Sequence, residues 1–126
     1  MKNKIEIRKS GIKDAGRGVF ATADINKGAI IEICPILILG IKDFVHLEKT
    51  MLIHYLYEYT GDSTLLALGY GSLYNHHNKP NAKYELVEYE GMQEQDRELY
   101  ITATQPISKG EEIFINYGND YKPGGR

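Results

Sequence analysis

Three short stretches of the 126-residue sequence carry groups suited to chemistry. Gly16-Arg17-Gly18, preceded by Gly11 and followed by Val19-Phe20, can bring bare backbone up to a ligand, because glycine leaves its N–H and C=O groups uncovered. It lacks the third glycine and following helix of a dinucleotide fingerprint, and no phosphate-loop Lys-Ser or Lys-Thr follows. A plain turn would read the same way. Asn75-His76-His77-Asn78-Lys79-Pro80-Asn81 gathers hydrogen-bonding side chains between the apolar stretch 65–68 and a strand. Metal binding by His76 and His77 is disfavoured, since neighbouring strand residues face opposite ways and no Cys or nearby Asp completes a ligand set. An Asn/Pro-rich loop accounts for the same composition. Glu111-Glu112-Ile113-Phe114-Ile115-Asn116-Tyr117-Gly118 offers paired carboxylates for acid–base work. They follow a Lys-Gly turn, however, and exposed turn carboxylates are the stronger expectation. Tyr117 ends an apolar strand, and Gly118 lets backbone pass close by.

Nucleophilic schemes find no support. Ser10, Ser63, Ser72 and Ser108 sit in no nucleophile-elbow pattern. Cys34, the single cysteine, lies in an apolar run before Pro35, as a buried structural thiol would. One cysteine also excludes an intramolecular disulfide framework and a cysteine-rich zinc site.

The elements that must position these residues read mostly as strands. Alternation puts Ile5 and Ile7 on one side of a strand over 4–8, and 19–21 follows the glycine-rich turn. Residues 30–34 form a β-branched strand broken by Pro35, with a second short strand over 36–39. Residues 84–89 and 99–104 read as a hairpin around Gly91, with Leu99, Ile101 and Ala103 sharing a face. A last strand covers 113–115. Phe44, Leu47, Met51, Tyr55 and Leu56 recur at helical spacing, which predicts a helix over 43–59 closed by Gly61. There is also an internal echo. Ile25-Asn26-Lys27-Gly28 and Ile107-Ser108-Lys109-Gly110 each lead into a strand, with the glycine expected at positive φ.

Composition bounds the rest. The length suits one domain, and 42% hydrophobic with 25% charged residues suits a packed core. Fifteen Lys and Arg against 17 Asp and Glu give a net charge of −2, unlike a general nucleic-acid binder. Charge is uneven: residues 1–27 hold seven basic and three acidic side chains, whereas 85–98 hold Glu85, Glu88, Glu90, Glu94, Asp96 and Glu98 against Arg97 alone. That run is either a solvated hairpin or a face that attracts a basic partner. There are ten Tyr, three Phe and no Trp. No signal peptide or membrane-spanning stretch is evident, and an intracellular protein, cytoplasmic or nuclear and not secreted, is expected.

Taken in order, the motifs resemble the SET domain of protein-lysine methyltransferases. They are Gly16-Arg17-Gly18-Val19-Phe20-Ala21, Ile25-Asn26-Lys27-Gly28 with Ile31-Glu32, Gly71 and Asn75-His76 with Pro80-Asn81, and Ile107-Ser108-Lys109-Gly110-Glu111-Glu112-Ile113 with Asn116-Tyr117-Gly118. The likeness covers about 11–34 and 65–121 and is nearest to minimal stand-alone members of viral and bacterial type. The chain departs from Asn-His-Ser-Cys-x-Pro-Asn, and it has Asn116 where many members have Asp.

The resemblance implies a mostly β, β-clip-like fold with little helix, several small curved sheets and a threaded C-terminal segment. It implies a single domain over 1–126, with a variable insert at about 36–64 and a short tail at about 118–126. It implies S-adenosyl-L-methionine as cofactor and a lysine-containing, histone-like protein tail as substrate, with no structural metal, no direct nucleic-acid binding and no membrane. Gly16, Arg17, Gly18, Tyr55, Asn75, His76, Tyr117 and Tyr121 would hold the cofactor. Tyr117 and Tyr55 would be catalytic, and Tyr84 and Ile115 would line the substrate channel. A homodimer is one way to close a site that cysteine-rich tails close in larger members. The alternative is a non-catalytic SET-like module that binds cofactor or peptide without turnover.

Overall fold

The computed structural model describes residues 4–116. Tyr117, Tyr121 and the tail at about 118–126 lie outside the described residues. In chain order the elements are β1 (Ile5–Lys9), β2 (Arg17–Ala21), β3 (Ile30–Leu39), α1 (Ile41–Leu47), a 3-10 turn (Met51–Tyr55), β4 (Leu56–Glu58) and β5 (Thr64–Ala67). A 3-10 turn (Gly71–Leu73), β6 (Asn75–His76), β7 (Ala82–Val87), a 3-10 turn (Glu94–Asp96), β8 (Glu98–Ala103) and β9 (Phe114–Ile115) complete them. They form a β1–β2 sheet, a five-stranded sheet in the order β4-β5-β3-β8-β7, and a parallel β6–β9 pair. This is the mostly β architecture of small sheets that the motifs implied.

Side-chain alternation builds the core. In the large sheet, Cys34 pairs with Leu99, Ile36 with Ala67, Tyr57 with Leu65 and Ala82 with Ala103, so one face collects small and branched apolar groups. All of these residues are buried. Leu99, Ile101 and Ala103 share that face, as alternation required. In the small sheet Ile5 pairs with Ala21 and Ile7 with Val19, leaving Arg8 outside, 4.4 Å over the Phe20 ring. Burying such groups stabilises the fold by roughly 1.5–3 kcal/mol per large side chain.

Two expectations about elements need correction. Residues 30–39 form one strand, not two. Pro35 sits where β3 passes from its partner β8 to its partner β5, and its carbonyl still accepts from Leu68 N at 2.9 Å. One missing donor at a change of partner is tolerated. The helix over 43–59 is also shorter than its apolar spacing suggested. It ends at Leu47, where Thr50 Oγ1 donates to Leu47 O at 2.7 Å and accepts from Leu52 N at 3.2 Å, starting a separate 3-10 turn. Residues 56–58 then turn extended to pair with β5, and Gly61, at φ +60°, serves the β4–β5 connection.

The echo proves to be a local two-fold. Ile25 and Ile107 exchange backbone hydrogen bonds of 2.8 and 2.9 Å. Gly28 N donates to Ala103 O as Gly110 N donates to Ala21 O, both at 2.8 Å. Gly28 and Gly110 have φ of +88° and +90°. Each turn thus launches its strand beside the end of the strand that precedes the other turn. The second turn delivers Glu112 to the inside of the molecule.

Candidate active site

Three distant motifs meet around the carboxylate of Glu112, which is 8% exposed. Ser10 Oγ lies 2.9 and 2.7 Å from its two oxygens, and Gly11 N donates to Oε1 at 2.9 Å. Asn75 Nδ2 donates to Oε2 at 2.9 Å and to Arg17 O at 3.1 Å. A buried carboxylate accepting several hydrogen bonds is stabilised in place of its lost hydration. This overturns the expectation of exposed turn carboxylates for Glu112. Glu111 does stay exposed, its Oε1 accepting from Ser108 N at 2.7 Å. Alternation sends one of two adjacent residues outward and the other in.

Gly18 makes this closeness possible. A Cβ there would stand 2.2 Å from Glu112 Oε2 and 2.9 Å from Asn75 Nδ2. Gly16 serves differently: at φ +75° it shapes the approach to β2, and a Cβ on it would meet no atom of the described residues within 4 Å. Among the described residues, the backbone at Gly16 therefore borders open space, whereas Gly18 is packed against Glu112 and Asn75.

The parallel β6–β9 pair sets Asn75 beside Phe114 and His76 beside Ile115. Asn81 locks it, donating from Nδ2 to Glu112 O at 3.0 Å and accepting from Phe114 N at 2.8 Å. β9 therefore lies directly beside the Asn-His motif. Ile115 is fully buried. His76 is partly exposed, and its pKa lies below the ordinary 6.5 because burial outweighs a raising hydrogen bond with Asn78. His77 turns away, its ring 5.0 Å from that of Phe114 and its Nδ1 accepting from Lys79 N. Among the described residues no group of three His, Cys, Asp or Glu could hold a metal ion.

The turn leading into Asn75 is clamped from below. Glu32 accepts from Tyr70 N at 2.9 Å and from Tyr74 Oη at 2.8 Å. Burial first, and the Glu32 carboxylate second, push the Tyr74 phenol and the Cys34 thiol well above their ordinary pKa values. Tyr74 therefore remains a donor, and Cys34 is an inert core thiol. Tyr57 Oη donates to Gly71 O at 2.6 Å. Tyr84, opposite Ile101 on the core face, is half-buried; burial and then Glu58 raise its pKa.

Of the expected site residues, Gly16, Arg17, Gly18, Asn75, His76 and Ile115 belong to one constellation. Tyr84 lies on β7, with β8 and β3 between it and β5, and Tyr55 ends the 3-10 turn two residues before Tyr57. Tyr117 and Tyr121 fall outside the described residues. The sequence offers Glu112 only as one of two paired carboxylates after a turn and Ser10 only as a serine outside any nucleophile elbow, and it gives Glu32 and Tyr57 no signal as site residues.

The SET domain family matches residues 16–118. A histone-lysine N-methyltransferase of Schizosaccharomyces pombe, specific for H3 lysine 37, is 33% identical over 122 residues, covering 94% of this chain and 76% of its own. The crystal structure of a candidate histone methyltransferase from Plasmodium falciparum matches with a TM-score of 0.73 at 36% identity, over 96% of this chain and 98% of that one. Polycomb repressive complex 2 of Chaetomium thermophilum gives a TM-score of 0.80 at 19% identity, over 98% of this chain and 16% of that one, a likeness of fold. The chain belongs to the SET domain family of protein-lysine methyltransferases.

Proposed function

We propose that the chain, acting as a single domain over 1–126, transfers a methyl group from S-adenosyl-L-methionine to a lysine in a basic, histone-like protein tail. The observation that supports this reading is the Glu112 constellation, which ties Gly11, the Arg17 backbone and Asn75 together beside the β6–β9 pair. When bound, the cofactor supplies an electrophilic methyl group on a positively charged sulfur. Gly16 to Gly18 offer backbone to its methionine end, with the Arg17 guanidinium near the carboxylate. Asn75, besides tying Arg17 to Glu112, and the His76 backbone hold the amino group and adenine. Tyr121 shelters the adenine or the channel.

Positioning supplies much of the rate of an in-line displacement. A tyrosine hydroxyl, with a reference pKa near 10, is a poor base at neutral pH, so Tyr117 orients the methyl and amine with its oxygen, assisted by Tyr55. The lysine must lose a proton before it reacts, and a low-dielectric channel next to a positive charge lowers its pKa. Tyr84 stays a phenol there and attracts the cation with its ring. Ile115 donates no hydrogen bond and ties down no water, which favours more than one methyl. A homodimer closing the cofactor site, and an intracellular setting without nucleic-acid or membrane contact, complete the proposal. No helix among the described residues is long and apolar enough to cross a membrane.

The test is transfer of label from methyl-labelled S-adenosylmethionine to histones, histone-tail peptides and cell lysate, with and without chelator. Label on lysine that survives chelation is expected. Cofactor binding by calorimetry with no transfer to any of these would instead establish the non-catalytic module.

A further inference from the structure

Tyr57, in the variable insert, reaches two parts of the proposed site at once. Its hydroxyl holds Gly71 O at 2.6 Å, within the turn that delivers Asn75. Its ring lies 4.8 Å from the Tyr84 ring, tilted by 54°. Gly71 is an immobile anchor: a Cβ there would stand 2.6 Å from Ala67 Cβ and 2.9 Å from Cys34 Sγ, so the turn is pressed onto β5 and β3. A hydroxyl bonded to that carbonyl fixes the ring, and the fixed ring is a wall for Tyr84. Behind it, Ile41, Phe44, Ile53 and Leu56 line an open groove into which a released side chain could relax.

We propose that Tyr57 is a positioning residue for methyl multiplicity: through Tyr84 it sets the width of the lysine channel, and through Gly71 it steadies the strand that carries Asn75. The inference rests on the reading of Tyr84 as a channel residue. A phenol at position 57 does both jobs because it joins a rigid planar wall to a donor; Phe would supply only the wall, and an aliphatic residue neither.

Two substitutions at this position separate the roles. Tyr57→Phe keeps the wall and loses the bond to Gly71. It should raise KM for S-adenosylmethionine about threefold to tenfold, the loss of one neutral hydrogen bond, with kcat and the mono-, di- and trimethyl distribution of the parent. Tyr57→Leu should raise KM similarly and also enrich the most methylated product severalfold in a mass-spectrometric time course. Should Tyr57→Leu not fold, Tyr57→Met carries the same expectation. Tyr84→Ala is the companion variant. If it shifts the distribution while Tyr57→Leu does not, the inference fails and the channel reading stands. If Tyr84→Ala leaves the distribution unchanged, both fail. An unchanged KM in Tyr57→Phe overturns the role assigned through Gly71.

Discussion

Glu112 shows how much one side chain can organise when every group facing it is a donor. Ser10 Oγ, Gly11 N and Asn75 Nδ2 all point at its carboxylate. An ionised carboxylate is an acceptor only, whereas an amide would present its NH2 to at least one of these donors. Glu112→Gln should therefore cost about 1–3 kcal/mol of stability although it preserves shape. Urea unfolding would measure this, and a midpoint equal to the parent's would remove Glu112 from the centre of the site. Tyr117 belongs to the same scale by proposal. Tyr117→Phe should leave unfolding and cofactor affinity near the parent's and lower kcat about a hundredfold or more if its oxygen orients the reactants. Unchanged turnover would sink that assignment. Motif residues such as Gly18 and Asn75 were legible because their types are unusual where they stand. Glu112 was not, because a glutamate after Lys-Gly looks the same in sequence whether it turns inward or outward. Its direction is set by the pairing of Ile113 N with Val19 O, a contact between distant segments.

At the scale of elements, local alternation was legible and exchanges of partner were not. The face shared by Leu99, Ile101 and Ala103 follows from period two alone, and so does the inward set of β1. Pro35 reads as a strand break in isolation. It is tolerated because β3 has one partner before it and another after it, which only the assembled sheet defines. The apolar spacing over 43–59 suggested one helix, yet α1 and the following 3-10 turn bury no residue fully. With no core to reward a continued helix, Thr50 and the pairing of 56–58 with β5 decide the backbone. The two echo turns make a sharper prediction. Their glycines share the left-handed conformation and the same pattern of partners, and a Cβ on either would meet no atom of the described residues within 4 Å. Only backbone strain then opposes a side chain. Gly28→Ala and Gly110→Ala should each lower stability by about 1–2 kcal/mol, and by similar amounts. Losses differing by more than twofold would show that the turns are not equivalent.

Across the whole molecule, the acidic connection between β7 and β8 is partly self-neutralised. Arg97 lies 2.7 Å from Glu88 and 3.8 Å from Glu94, and it also contacts the Tyr59 hydroxyl. Those carboxylates brace the loop as well as charging it, so reversing them would disturb structure along with field. Glu85 and Glu90 are exposed and make no ion pair among the described residues. They are the better probes of whether this end of the sheet draws in a basic tail. Glu85 points away from the core, since the inward residues of β7 are Ala82, Tyr84 and Leu86. A field of this kind is screened beyond ~8 Å at physiological salt and acts on encounter more than on chemistry. The pair Glu85→Lys and Glu90→Lys should therefore leave thermal unfolding and kcat close to the parent's while slowing association with a lysine- and arginine-rich peptide. The deficit should shrink as salt rises, because screening weakens the attraction in the parent and the repulsion in the variant alike. A deficit of the same size at low and high salt would mean that these residues contact the peptide directly, and equal association rates at low salt would show that the acidic end is only a solvated hairpin.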